Sequence, residues 1–138
     1  MVIKGEAGEI EIKVTPIDIN HCNDDWITAE IKITVPGFNA WYGTSIRVDE
    51  LRQFCEDLIK LDNLTAKRAE FTTLEQGLYL ECNLQKNGHV LCSGTAITEN
   101  GDSLNFTIQT DLASINKSIS QLKTTVSQFS VRSVRDAI

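Results

Sequence analysis

The chain has 138 residues and a net charge of −6, with 41% hydrophobic and 23% charged residues. This length fits one domain, expected over residues 1–138, and is enough to bury a core. No apolar run approaches the ~18 residues of a membrane span. The start, MVIKGEAGEIEIKV, is charged and alternating, which is untypical of a signal peptide, so we expect a cytoplasmic protein.

The negative charge is concentrated in the first half of the chain. Residues 1–62 hold twelve acids and six bases, whereas the remainder holds seven of each. This balance argues against nucleic acid or an anionic membrane as the direct partner. A basic protein is the partner that such a half would attract.

Period-two alternation predicts strands from the first residues onward. EIEIKV places Ile10 and Ile12 on one face, and an Ala7–Gly8 turn would pair Ile3 with Ile12. WITAEIKITV places alternate apolar residues inward. A Pro36–Gly37 turn would pair Val35 with Phe38 and Ile31 with Tyr42. In that register Trp41 lies outward beside Lys32, and Trp26 lies outward opposite Arg47.

The segment VDELRQFCEDLIKL breaks the alternation. It spaces Leu51, Phe54, Leu58 and Leu61 at three and four residues, which predicts an amphipathic helix. Asp49 and Glu50 near its start suit the helix dipole. Cys55 follows Phe54 at the edge of the apolar stripe and is expected in the core.

Two Asn-Gly turns organise the next strands, GLYLECNL, HVLCSGTAI and SLNFTI. A two-residue turn at Asn87–Gly88 pairs Cys82 with Ser93 and sends Cys92 to the opposite face. The same turn type at Asn100–Gly101 pairs Ile97 with Leu104. A Gln76–Gly77 turn would pair Phe71 with Cys82.

The final segment, DLASINKSISQLKTTVSQF, again shows helical spacing, from Leu112 to Phe129, with Asp111 as a plausible N-cap. The order strands, helix, strands, helix predicts an α+β fold. We expect a largely antiparallel meander sheet of about seven to eight strands, packed against two helices.

The four cysteines are Cys22, Cys55, Cys82 and Cys92. They form no CxxC pair, and two histidines do not complete a zinc-ligand pattern. Because the predicted register separates Cys82 from Cys92, we expect four reduced thiols.

HCNDDW, from His21 to Trp26, is the segment that most resembles a site. Adjacent ligands such as His21 and Cys22 diverge on extended backbone, so metal binding is disfavoured. Cysteine catalysis would require His89 as a base, and His89 is expected at a solvent-facing turn. A polar connecting loop is favoured, and Asp24, Asp25 and Trp26 could still recognise a partner.

Trp26 and Trp41 have two interpretations. They could simply lie over long cationic side chains, which is common and mildly stabilising. They could instead anchor an interface, where tryptophan is enriched. The two histidines stand in loop-like positions, so no Ser-His-Asp set can be proposed, and the glycines sit singly at turns and form no phosphate-binding loop. We therefore predict a non-enzyme without metal or cofactor.

The whole chain resembles the WapI-like immunity proteins of bacterial polymorphic-toxin and contact-dependent inhibition systems. The resemblance rests on the W..AEIKITVPGF strand, the DELRQFCEDLIKL helix and the hairpin run LYLECNLQKNGHVLCSGTAI. It also includes the closing pattern of Phe106, Ile108, Asp111, Ile115 and Leu122. It implies a cytoplasmic antidote that binds a secreted toxin domain, often a nuclease.

Two other functions stay open at this point. A small-ligand domain would need a pocket lined by Tyr42, Cys82 and Thr95, and a general interaction module would have no toxin partner. For the immunity function, the expected partner-binding residues are Asp24, Asp25, Trp26 and Trp41, facing a basic toxin domain.

Overall fold

A computed structural model describes residues 1–16 and 26–136. Four strands followed by a helix form the first half of the chain, and the same order recurs in the second half. The elements are β1 (Val2–Lys4), β2 (Glu9–Pro16), β3 (Trp26–Val35), β4 (Phe38–Arg47), α1 (Val48–Asp62), β5 (Arg68–Phe71), β6 (Leu78–Leu84), β7 (His89–Ile97), β8 (Ser103–Asp111) and α2 (Leu112–Asp136).

The predicted α+β class is confirmed. All strand pairs are antiparallel, but the strands form two sheets of four, β1-β2-β3-β4 and β5-β6-β7-β8, rather than one continuous sheet. Helix α1 follows the edge strand β4 and packs on β5, so the chain passes through a helix before the second sheet begins.

The Pro36–Gly37 hairpin has the predicted register, with Val35 opposite Phe38 and Ile31 opposite Tyr42. The Ala7–Gly8 and Gln76–Gly77 turns differ from prediction by two residues. Ile3 pairs with Ile10, and Phe71 pairs with Leu80. A shift of two keeps each side chain on its predicted face.

Both Asn-Gly turns were predicted one residue out of register. The Gln85 N–H donates to the His89 carbonyl at 2.8 Å, which leaves a three-residue loop instead of a two-residue one. Gly88, with φ +83°, is the third residue of that loop, and Gly101, with φ +91°, is its counterpart between β7 and β8. A left-handed glycine in the third position is the usual three-residue hairpin solution.

The shift of one residue reverses the face assigned to β7. Val90, Cys92 and Ala96 point into the core, whereas Ser93 and Thr95 point outward. The prediction that Cys82 and Cys92 lie on opposite faces is therefore wrong. They are paired directly, both fully buried, with their sulfur atoms 2.9 Å apart.

The helices cover the apolar sides of the sheets as predicted. In α1 the buried stripe includes Leu51, Phe54 and Leu58, and the Phe54 ring lies 5.2 Å from that of Phe71 on β5. Ile115 and Leu122 of α2 are also buried.

The expected N-cap of α2 is present, because Asp111 Oδ1 accepts a hydrogen bond from the Ser114 N–H at 2.8 Å. This bond lowers the pKa of Asp111.

The two sheets are tied together at two places. At the first, the Glu6 N–H donates to the Gln109 carbonyl at 3.1 Å, and the Thr110 hydroxyl donates to the Lys4 carbonyl at 2.7 Å. At the second, the Tyr42 hydroxyl donates to the Gly77 carbonyl at 2.7 Å. The second tie places loop 72–77 beside strand β4.

Candidate partner-binding face

The outward side of β3 and β4 carries two of the residues predicted to bind a partner. Alternation sends Ile27, Ile31 and Ile33 inward, where they are almost completely buried, and sends the residues between them outward. We call the resulting surface the tryptophan face. Its members are Trp26, Glu30, Lys32, Trp41 and Arg47.

Trp41 is the most exposed large apolar side chain of this face, with 72% of its surface open to solvent. Lys32 Nζ lies 4.5 Å from the centre of the indole ring, as the predicted pairing required. The indole Nε1 also donates a hydrogen bond to Glu30 Oε1 at 2.5 Å. Because two contacts from β3 orient the ring, Trp41 has little side-chain freedom left to lose when a partner covers it.

Trp26 is half-buried and lies at the other end of the face. The guanidinium carbon of Arg47 is 6.0 Å from its ring centre, which confirms the predicted juxtaposition. The Arg47 N–H donates to Glu50 Oε1 at 2.6 Å, and the Leu74 N–H donates to Glu50 Oε2 at 2.6 Å. Glu50 therefore joins this end of the face to loop 72–77.

A groove of about 470 Å³ lies beside this junction. Its lining combines the start of α1 with β5 and loop 72–77: Arg47, Asp49, Glu50, Gln53, Glu70, Thr72, Thr73 and Leu74. Asp49 is paired with Arg52, and Glu70 with Arg68. Since these carboxylates already have cationic partners, the groove is a weak cation site, although Leu74 is 68% exposed at its rim.

The acidic excess of the first half is not located on the sheet. The outward residues of β1, β2 and β3 alternate in sign, with Lys4, Lys13 and Lys32 among Glu9, Glu11 and Glu30. Helix α1, in contrast, holds five acids and two bases, and residues 17–25 hold three acids and no lysine or arginine. Asp24 and Asp25 belong to this segment and lie outside the described residues.

The residues of the hypothetical small-ligand pocket do not converge. The Tyr42 hydroxyl donates a hydrogen bond to the Gly77 carbonyl. The Thr95 hydroxyl donates to Asn105 Oδ1 at 2.8 Å, on the outward side of the second sheet. Cys82 is buried in the core. Its hydrogen bond with Cys92 and its burial raise the pKa of the Cys82 thiol, so it is protonated and a poor nucleophile at neutral pH.

Residues 1–16 and 26–136 contain no cluster of three His, Cys, Asp or Glu side chains arranged to hold a metal ion. His21 and Cys22 lie outside these ranges. Within the part of the chain that is described, no helix has the length and apolarity needed to span a membrane.

Comparison with protein families supplies the decisive observation. The model of the immunity protein WapI-like family matches residues 1–130. The chain belongs to the WapI-like immunity protein family. The resemblance inferred from the sequence pattern is thus confirmed, and it brings with it a function in immunity against a toxin. Immunity proteins of this kind are generally not enzymes. No curated protein matches this WapI-like chain in sequence.

Two solved structures are similar to this WapI-like protein in their backbone fold to different degrees. Trypanosoma bruciei MRP1/MRP2 superposes with a TM-score of 0.50 at 8% identity, covering 97% of this chain and 80% of that one. The plant transcriptional regulator PBF-2 gives a TM-score of 0.49 at 11% identity, covering 91% and 79%. At such identities the first match shows a shared fold and nothing about a shared partner.

Proposed function

We propose that this WapI-like immunity protein neutralises its toxin by binding the toxin domain directly through the tryptophan face. The observation that carries the proposal is Trp41, which is 72% exposed yet held by Lys32 and Glu30. Binding energy in protein interfaces is concentrated in a few residues, and tryptophan is enriched among them. An aromatic ring that is already oriented suits that role.

The partner in this proposal is a basic toxin domain, of the kind expected for a nuclease that must approach phosphates. Along the sequence, residues 17–25, which include Asp24 and Asp25, precede the strands that carry Trp26 and Trp41, and the acidic helix α1 follows these strands. Complementary charge chiefly accelerates encounter, to ~10⁸ M⁻¹s⁻¹ or more at low salt. Rapid encounter suits an antidote in the cytoplasm that must meet the toxin before the toxin acts.

The experiment measures association and dissociation rates with the cognate toxin domain, sought among the products of neighbouring genes, across a salt series. Trp41→Ala should raise the dissociation constant about 30-fold or more, mainly through faster dissociation. Asp24→Asn/Asp25→Asn should instead slow association at low salt.

The matched control is Leu64→Ala, because Leu64 is 65% exposed and lies just beyond the opposite end of α1. It should bind like the parent. If Trp41→Ala and Leu64→Ala both bind as the parent does, the toxin docks elsewhere and the proposal fails.

A further inference from the structure

Strand β4 is a sheet edge that no other described strand covers, although loop 72–77 lies beside it at Tyr42 and Thr44. Of the other edge strands, β1 has three residues, β5 has four, and β8 is approached by β1 through the Glu6–Gln109 hydrogen bond. Strand β4 has ten residues and no charge or proline from Phe38 to Ile46. Natural edges are normally short, charged, interrupted or covered, because an open edge recruits further strands.

The hairpin geometry shows which backbone groups face outward from this edge. In a two-residue hairpin the pair flanking the turn is hydrogen-bonded, and bonded pairs alternate along the strands. Phe38 and Val35 flank the Pro36–Gly37 turn, so Asn39, Trp41, Gly43 and Ser45 direct their N–H and C=O groups away from β3. Within the described residues, no backbone–backbone hydrogen bond joins residues 38–46 to any element other than β3.

A cavity of about 630 Å³ runs beside the second half of this edge. Its walls are the β3–β4 hairpin, the loop before β6 and the turn after β7: Thr28, Gly43, Thr44, Ser45, Glu75, Gln76, Gly77, Ile97, Thr98 and Glu99. The lining contains two carboxylates, Glu75 and Glu99, and no lysine or arginine. Gly43 leaves its floor open, since a β-carbon there would meet only the Ala29 carbonyl oxygen, at 3.9 Å.

We infer that the edge of β4 receives an extended basic segment of the toxin domain as an additional strand, with its cationic side chains beside Glu75 and Glu99. The inference rests on the proposed function and specifies its contact. Main-chain hydrogen bonds from an added strand provide affinity, and side-chain pockets provide selectivity. Trp41 belongs to the same strand, so the added segment would be continuous with the tryptophan face.

Hydrogen–deuterium exchange on the full chain, free and saturated with the toxin domain, tests this directly. The amides of Asn39, Trp41, Gly43 and Ser45 should exchange quickly in the free protein and slow at least about tenfold in the complex, because each gains a hydrogen-bond partner. Unchanged exchange across β4 in a saturated complex overturns the inference and leaves binding through the tryptophan face intact.

Substitution at Gly43 gives an independent test. Gly43→Pro removes one outward N–H at an edge position where proline is tolerated, and should weaken toxin binding about tenfold. Gly43→Ala retains the N–H and reports the effect of the side-chain carbon alone, so Gly43→Pro should weaken binding about fivefold more than Gly43→Ala does. Equal binding of both variants overturns the inference, and the exchange measurement decides the matter if Gly43→Pro does not fold.

The charge requirement has its own pair of variants. Glu75→Gln/Glu99→Gln should slow association at low salt, whereas Glu56→Gln, on the exposed side of α1, should have a smaller effect.

A second copy of this chain is the competing occupant of the edge. If the free protein is dimeric and already protects the β4 amides, the edge belongs to that dimer and the inference is wrong. If the parent does not bind the toxin domain at all, the proposed function itself fails.

Discussion

Replacing Tyr42 by phenylalanine should remove one hydrogen bond, the tie from β4 to the Gly77 carbonyl. At pH 7 we expect Tyr42→Phe to lower the free energy of unfolding by about 1 kcal/mol, the usual contribution of such a bond. Burial raises the pKa of the Tyr42 phenol above its ordinary value. The phenol of a tyrosine in the unfolded chain ionises near pH 10. While the folded phenol stays protonated, each further pH unit favours the unfolded chain by about 1.4 kcal/mol. Because the folded chain keeps the phenol protonated, the stabilisation that Tyr42 contributes is fully present below pH 10 and falls as the pH rises further.

Solvent reaches part of the Tyr42 ring, so we discount the alkaline loss to about 0.5–1 kcal/mol at pH 11. The advantage of the parent over Tyr42→Phe should then shrink from about 1 kcal/mol to about 0.5 kcal/mol or less. Urea unfolding of both proteins at pH 7 and pH 11 measures this, and other titrating groups cancel because they are common to both chains. A difference that stays constant between the two pH values would refute the reasoning, as would equal stability at pH 7.

Three further predictions concern the second sheet and α2. Gly94→Ala should lower the free energy of unfolding by about 1–3 kcal/mol, because its β-carbon would lie 2.5 Å from the Tyr79 carbonyl oxygen and 2.6 Å from the ring of Phe106. Gly43→Ala is the control for thermal unfolding and should not destabilise the protein, because its β-carbon would meet only the Ala29 carbonyl oxygen, at 3.9 Å. Cys82 and Cys92 should remain thiols when the native protein is treated with a low-molecular-weight disulfide, because both are fully buried and the pKa of Cys82 is raised. The same reagent in urea should oxidise or modify them, and the change in intact mass measures this. Asp111→Ala should lower the melting temperature at pH 7, whereas Asp111→Asn should retain much of the helix cap. The pKa of Asp111 is lowered in the folded chain. The stability advantage of the parent over Asp111→Ala should therefore fall as the pH drops through that pKa.

Local patterns predicted the secondary structure well because their signals are short-range. The helix stripe at Leu51, Phe54 and Leu58 is buried as expected, and the Pro36–Gly37 turn has its expected register. The Asn-Gly turns were harder, since that dipeptide fits both a two-residue loop and the last two positions of a three-residue loop. One extra loop residue reversed the face of β7 and brought Cys92 opposite Cys82.

The division into two sheets depends on long-range contacts that no local pattern encodes. The sheets meet where Gly5 allows close approach, as a β-carbon there would collide with the Gln109 carbonyl oxygen on β8. A single glycine between two strands gives no indication in the sequence of which distant strand will pack against it. The predicted sheet was therefore continuous, whereas the folded chain forms two halves of the same order.

The tryptophan face could be predicted because its contacts are between neighbouring strands. Trp41 beside Lys32 and Trp26 opposite Arg47 follow from one hairpin register and are confirmed. The hydrogen bond from Trp41 to Glu30 was missed, although Glu30 is outward and diagonal to Trp41. The cavity beside β4 was not predictable, because Glu75 and Glu99 reach it from the other half of the chain.

Growth of cells that produce the toxin domain tests the central claim, immunity through the tryptophan face, most directly. The parent and the Leu64→Ala variant should restore growth, and Trp41→Ala should fail to do so at an equal, low level of expression. Full protection by Trp41→Ala at every expression level would contradict the role of the face, and failure of the parent to protect would contradict the immunity function proposed for this toxin.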